Sequence, residues 1–249
     1  TTDSSFVEID TTSPELIDVS IVSNNADNTI AKAGDQVTLS FKTTEPIKTP
    51  TDSEITTNGL GTLAFTQKDS DGKEWEVIGT VLDGQNVNAS FNIEVLDQAG
   101  NRGFPKTTTD DQTSVTFDTT KPTLSSVTLV SNNTITNRAQ SGDNITLSFT
   151  SSELISIPSV TLAGTIVTAT NSTGNGKDWQ AVYPVVNETE NGQVSFEIGF
   201  VDSASNSGDN VTTTTNGSLV DVDTTAPTLT LVKLKSNNDN TSLAKATET

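Results

Sequence analysis

Four oxygen-bearing side chains recur in register along this chain. Asp10 and Asp118 sit in two related junctions, IDTTSP (9–14) and FDTTKP (117–122). Thirty-five residues after each comes a glutamate, Glu45 in SFKTTEP and Glu153 in SFTSSEL. An aspartate and an asparagine follow, Asp97 and Asn101 in DQAGN, then Asp202 and Asn206 in DSASN. The interval from Asp97 to Asp118 is 21 residues, and so is that from Asp202 to Asp223 in a third junction, VDTTAP (222–227). Carboxylates gathered in threes repel one another unless a cation joins them. With an amide oxygen beside them they form a hard, all-oxygen shell, which suits Ca²⁺ better than any soft metal. A lone DxAGN reads as ordinary turn capping by Asp and Asn. Four positions repeating together point to a metal site.

The elements that must position these residues follow from the period. Asp10 to Asp118 spans 108 residues and Asp118 to Asp223 spans 105, so the chain holds two repeats, 10–117 and 118–222. Residues 4–9 (SSFVEI) resemble TSVTF (113–117) and GSLVDV (217–222), which makes 1–9 the expected last strand of a preceding repeat. Residues 228–246 match 15–33, which makes 223–249 the expected first strand and start of a following one. The sequence reads as a window on a longer array.

Within each repeat, alternation of apolar and polar residues between Gly, Asn, Asp and Pro clusters predicts seven strands. They run from 15–22 to 112–118 in the first repeat and from 123–130 to 217–223 in the second. Val37, Leu39 and Phe41 are expected to face Phe91, Ile93 and Val95. Ile145, Leu147 and Phe149, with Phe196, Ile198 and Phe200, repeat the arrangement. Trp75 and Trp179 open the fifth strands at matching positions and are read as core plugs. Seven strands and no helical period give an all-β fold of tandem immunoglobulin-like sandwiches, without the cysteines of antibody domains. In such a sandwich the loops after the second and sixth strands lie at the pole where the first strand begins. Asp10, Glu45, Asp97 and Asn101 should therefore converge at one pole. Asp118, Glu153, Asp202 and Asn206 should converge where the two repeats meet. The DTTxP junction is too short to be a tether, and its proline stiffens it.

Composition excludes several chemistries. His, Cys and Met are absent, which removes disulfides, thiolate and imidazole catalysis, and zinc sites built from those ligands. A net charge of −19 repels nucleic acid and anionic lipid and attracts cations. No leader is visible, and no apolar run reaches membrane-spanning length. Glu45 and Asp97 could be drawn as a glycosidase pair, but no cleft or raised pKa follows from the sequence, and no enzyme is expected.

At DTTxP, the acid after the second strand, and DxAGN, the sequence resembles the tandem immunoglobulin-like repeats of prokaryotic cell-surface proteins. These include giant adhesins and the surface-layer (S-layer) proteins of archaea, notably ammonia-oxidising ones. The resemblance covers essentially the whole chain. It implies an extracellular, structural role with calcium between domains, held here by Asp10, Glu45, Asp97, Asn101, Asp118, Glu153, Asp202 and Asn206. DSASN departs from the pattern by placing Ser205 where DQAGN has Gly100. The implied partners are further copies of the chain in a lattice, divalent or ammonium cations, and N-linked glycans. Eight N-x-Ser/Thr sequons are present, a number the Asn, Ser and Thr content yields by chance. The alternative reading is a stalk or ligand-binding repeat of an adhesin, for which exposed tryptophans would be the mark. Ser-Asn-Asn, at 23–25, 131–133 and 236–238, and DSDG at 69–72 are read as turns.

Overall fold

The computed structural model describes residues 6–236 and 239–243. Parts of the two expected terminal strands, and of the third Ser-Asn-Asn, lie outside them.

The first repeat contains β1 (Leu16–Ser23), β2 (Ile30–Ala31), β3 (Gln36–Thr43), β4 (Ile55–Thr57), β5 (Ala64–Gln67), β6 (Glu74–Thr80), β7 (Phe91–Ile93) and β8 (Thr116–Phe117). One sheet has the order β1-β3-β6-β5, and β4 pairs with β7 across the core. This is the strand arrangement of an immunoglobulin-like sandwich. The short β2 runs parallel to β8, with Ala31 opposite Phe117.

The second repeat contains β9 (Leu124–Ser131), β10 (Arg138–Ala139), β11 (Asn144–Ser151), β12 (Ser159–Leu162), β13 (Thr165–Asn171), β14 (Asp178–Pro184), β15 (Gly192–Gln193), β16 (Phe196–Gly199) and β17 (Asp221–Val222). Here the two layers join into one six-stranded sheet, β16-β12-β13-β14-β11-β9. The cause is the β12–β13 connection. Its two residues, Ala163 (φ 50°) and Gly164 (φ 72°), both take the left-handed conformation, as the tightest hairpin turns require. In the first repeat residues 58–63 separate β4 from β5, and those strands do not pair.

Alternation places the predicted core inside. Val37, Leu39, Phe41, Phe91, Ile93 and Val95 are buried in one hydrophobic cluster drawn from residues 16–117. Ile145, Leu147, Phe149, Phe196, Ile198 and Phe200 are buried in a second, drawn from 127–222. Trp75 lies directly opposite Phe41 across β3 and β6, and Trp179 opposite Phe149. Such aromatic cross-strand pairs add stability beyond the area they bury.

Residues 6–9 and 228–236 form no strand, and Phe6, Val7, Ile9, Leu229, Leu231, Val232 and Leu234 are exposed. A strand is held by a partner's backbone groups, and these segments pair with no other described strand.

Candidate metal centre

The second and third junctions extend the last strand of the sandwich before them, the Asp223 amide donating to the Ala139 carbonyl at 2.9 Å. The Asp118 amide donates to the Ala31 carbonyl at 2.9 Å, continuing the β2–β8 pairing by one residue. The Asp118 carboxylate then folds back, its Oδ1 accepting from the Thr120 amide at 3.1 Å. Asp10 does the same with Thr12 at 2.9 Å, and Asp223 with Thr225 at 2.9 Å. This local turn explains why Thr stands two residues after each junction aspartate only in part, since any residue but proline supplies the amide.

The glutamates ride on the loops after β3 and β11. The Thr43 hydroxyl donates to the Glu45 carbonyl at 2.7 Å, and Ser151 holds Glu153 in the same way. The Ile47 amide donates to the Gly72 carbonyl at 3.0 Å, and that carbonyl also accepts the indole N–H of Trp75. Ile155, Gly176 and Trp179 repeat this arrangement. The core tryptophans therefore anchor the turn that supports each glutamate.

Asp97 and Asp202 sit deepest, 0 % and 2 % exposed. Asp97 Oδ1 accepts from the amides of Gly100 and Asn101, and its Oδ2 accepts from the Asn101 side chain at 2.7 Å. Asp202 is held by the Asn206 amide and the Asn206 side chain, each at 2.8 Å. Ser205 adopts φ 69°, the left-handed conformation that Gly100 takes at φ 99°. The departure from glycine thus leaves the loop geometry in place. Isolated bridges, Ile47 with Asp97 and Ile155 with Asp202, draw the two loops together.

The outcome is two triads. Carboxylate oxygens of Asp10, Glu45 and Asp97 lie within 4.8 Å of one another, as do those of Asp118, Glu153 and Asp202. Two oxygens bound to one Ca²⁺ at about 2.4 Å can be at most about 4.8 Å apart, so the spacing admits a shared ion. Burial, then the carboxylates of Asp10 and Asp97, push the Glu45 carboxyl above its ordinary value. Burial, then Asp118 and Asp202, do the same to Glu153. Burial also acts upward on Asp97, but the hydrogen bonds from Asn101, Gly100 and Ala99 outweigh it and hold that carboxyl low. Lys73 and Lys177 lie nearby, yet their ammonium groups donate to the Thr44 and Ser152 carbonyls, each at 3.1 Å. Two buried side-chain oxygens lack any partner among the described residues, Glu45 Oε1 and Thr119 Oγ1. One belongs to a triad, and the other adjoins Asp118 in the chain.

All eight sequence-derived residues meet at the expected poles, but the asparagines do so as donors. Asn206 Nδ2 donates to Asp202 and to the Asp118 carbonyl at 2.8 Å, and Asn101 Nδ2 donates to Asp97 and to the Asp10 carbonyl at 3.1 Å. In this arrangement each amide nitrogen clips the junction to the loop beside it. Sequence reasoning missed Asn86 and Asn191, whose Oδ1 accepts from the amides of Thr119 and Thr224 at 3.0 and 2.8 Å. Each stands 32 residues before a junction aspartate, so the same register carried that signal. It also missed Gly103 and Gly208. A Cβ there would fall 2.6 Å from the Pro14 carbonyl oxygen and 2.8 Å from that of Pro122.

Fold and site together define a tandem immunoglobulin-like β-sandwich protein with an acidic triad at the leading pole of each sandwich. No protein-family model matches the chain, and no curated protein matches it. Among solved structures it is similar to the D00–D0 domain of intimin, at 12% identity and TM-score 0.30, over 77% of this chain and 98% of that one. It is similar to InvD of Yersinia pseudotuberculosis at 13% identity and TM-score 0.28, over 88% of this chain and 62% of that one. It is also similar to the Ig1–Ig2 pair of DIP-gamma at 12% identity and TM-score 0.33, over 87% and 99%.

Proposed function

We propose that this chain is a non-enzymatic structural segment of a cell-surface protein, most like an S-layer subunit, whose repeats are stiffened by calcium. Asp10, Glu45 and Asp97 would hold one ion and Asp118, Glu153 and Asp202 the other, with Asn101 and Asn206 positioning them. The observation that carries this reading is the pair of glutamates. Both are aimed into a group of like charges, and neither carboxylate has a hydrogen-bond or ion-pair partner among the described residues. A protein that needed these residues only for folding would be more stable without them. An ion supplies what they lack, and it joins a junction residue to two loops of the sandwich that follows.

The wider acidic surface, at −19, favours small cations and disfavours nucleic acid. Further copies of the chain, ammonium ions and glycans are the partners this reading implies. The adhesin-ligand alternative asked for exposed tryptophans, and Trp75 and Trp179 are in the cores.

The test is calcium titration of chelator-treated protein by calorimetry and thermal unfolding. Two sites and a rise in melting temperature are expected, since an ion at about 100 times its dissociation constant stabilises by about 2.7 kcal/mol. An unchanged melting temperature with no heat of binding removes the metal from the proposal.

A further inference from the structure

The turn after β1 and the turn after β9 are built alike. The amides of Asn25 and Asn133 donate to the hydroxyls of Ser23 and Ser131, each at 3.1 Å. Their side-chain nitrogens donate to Asp35 and Asp143 at 2.8 and 2.7 Å. Asn25 differs in one respect. Its Nδ2 also donates, at 2.8 Å, to the carbonyl of Ala204 in the second repeat.

Ala204 lies between Asp202 and Asn206, within the loop that contributes to the second triad. It is 0 % exposed, whereas its counterpart Ala99 is exposed. Asn206 is also more deeply buried than Asn101. The surface that covers the second loop and not the first is the end of the preceding sandwich.

The junction alone cannot set how one sandwich is turned relative to the next. It is a single strand, bound to the first repeat through Ala31, Gln85 and Asn86, and to the second through Asn206 and Ser152. One strand fixes a separation but permits rotation about itself. A contact from a different element removes that freedom.

We propose that Asn25 is the positioning residue that fixes the angle between the repeats, by gripping the loop that holds the second ion. The inference rests on the calcium reading for its link to the ion. Loop 202–206 is one hydrogen-bonded unit, so an ion ordering Asp202 and an amide ordering Ala204 favour the same conformation. Each then strengthens the other, by the same factor in both directions. Asn133 is the equivalent half-contact on the second repeat, and it fits the same loop of a further repeat of this kind.

The chain has no cysteine, so Thr66→Cys and Thr165→Cys, both exposed, allow spin labels to report the distance between repeats. The distribution is measured with and without calcium in three backgrounds: unaltered, Asn25→Ala and Asn133→Ala. Both variants lose the side-chain bond to Asp35 or Asp143 and the Oδ1 contact with the amide two residues on, and Asn133→Ala also loses a Thr134 hydroxyl contact, so greater broadening in Asn25→Ala belongs to the Ala204 contact. The expected result is a narrow distribution with calcium in the unaltered chain and in Asn133→Ala, and a broad one in Asn25→Ala. Calorimetry should show the second site weakened about 2- to 10-fold in Asn25→Ala, the net worth of one neutral hydrogen bond, with the first site unchanged. Equal distributions in the two variants overturn the proposal. Absence of calcium binding to the unaltered chain overturns the metal reading and the ion linkage, while the distance comparison still decides whether Asn25 sets the angle.

Discussion

Asn206 and Asp118 are 88 positions apart in the chain, yet the side-chain amide of one donates to the backbone carbonyl of the other at 2.8 Å. The same amide holds the Asp202 carboxylate. A single side chain thus sets the separation of two of the three members of the triad. Replacing it with alanine leaves a buried carboxylate oxygen and a junction carbonyl without their donor. Asn206→Ala should cost about 1–3 kcal/mol in denaturant unfolding. Asn101→Ala should cost less, because Asn101 is more exposed and water can take its place.

Glu45 and Glu153 make the opposite case. With no partner to lose, Glu45→Gln and Glu153→Gln should be neutral or stabilising when calcium is chelated, and should abolish the response to calcium at their own sites. The pH dependence follows from the raised carboxyls. A glutamate whose folded value exceeds the ordinary 4.5 costs nothing below 4.5. It costs stability progressively as pH rises through its folded value. Without calcium, the double glutamine variant should therefore gain on the unaltered protein as pH rises from about 4 to about 7. With calcium the order should reverse. Melting temperatures across that range, with and without chelator, check both signs.

Ser205 holds a left-handed backbone that glycine holds without cost. Ser205→Gly should stabilise the second repeat by about 1 kcal/mol, read as a higher denaturant midpoint with an unchanged slope. The substitution places no new atom in the site, so calcium affinity should be retained.

Gly208 is required by close approach. An added methyl group would meet the Phe200 ring and lie 2.8 Å from the Pro122 carbonyl oxygen. Gly208→Ala should destabilise by about 1–3 kcal/mol. Because it pushes the junction off the loop that follows Asp202, it should also weaken calcium binding at the second site and leave the first unaffected, which calorimetry resolves.

The repeat period, seven strands of each repeat but not the two-residue β2, β10 and β15, the inward faces of Val37 to Phe41 and Ile145 to Phe149, and the four recurring oxygen-bearing positions were legible in the sequence. Each is carried by residue type at a fixed spacing: alternation follows from the two-residue pleat, and convergence of the loops follows from strand order. Other features depend on contacts between residues far apart in the chain, and only the tertiary structure decided them. Oxygen and nitrogen of one amide have the same spacing, so nothing local said that Asn101 and Asn206 would turn their nitrogens toward the aspartates. Likewise Asn25 and Asn133 are the same residue in the same turn. One reaches the neighbouring sandwich because the junction after Phe117 brings the Ala204 loop against it, and that juxtaposition exists only once both repeats have folded.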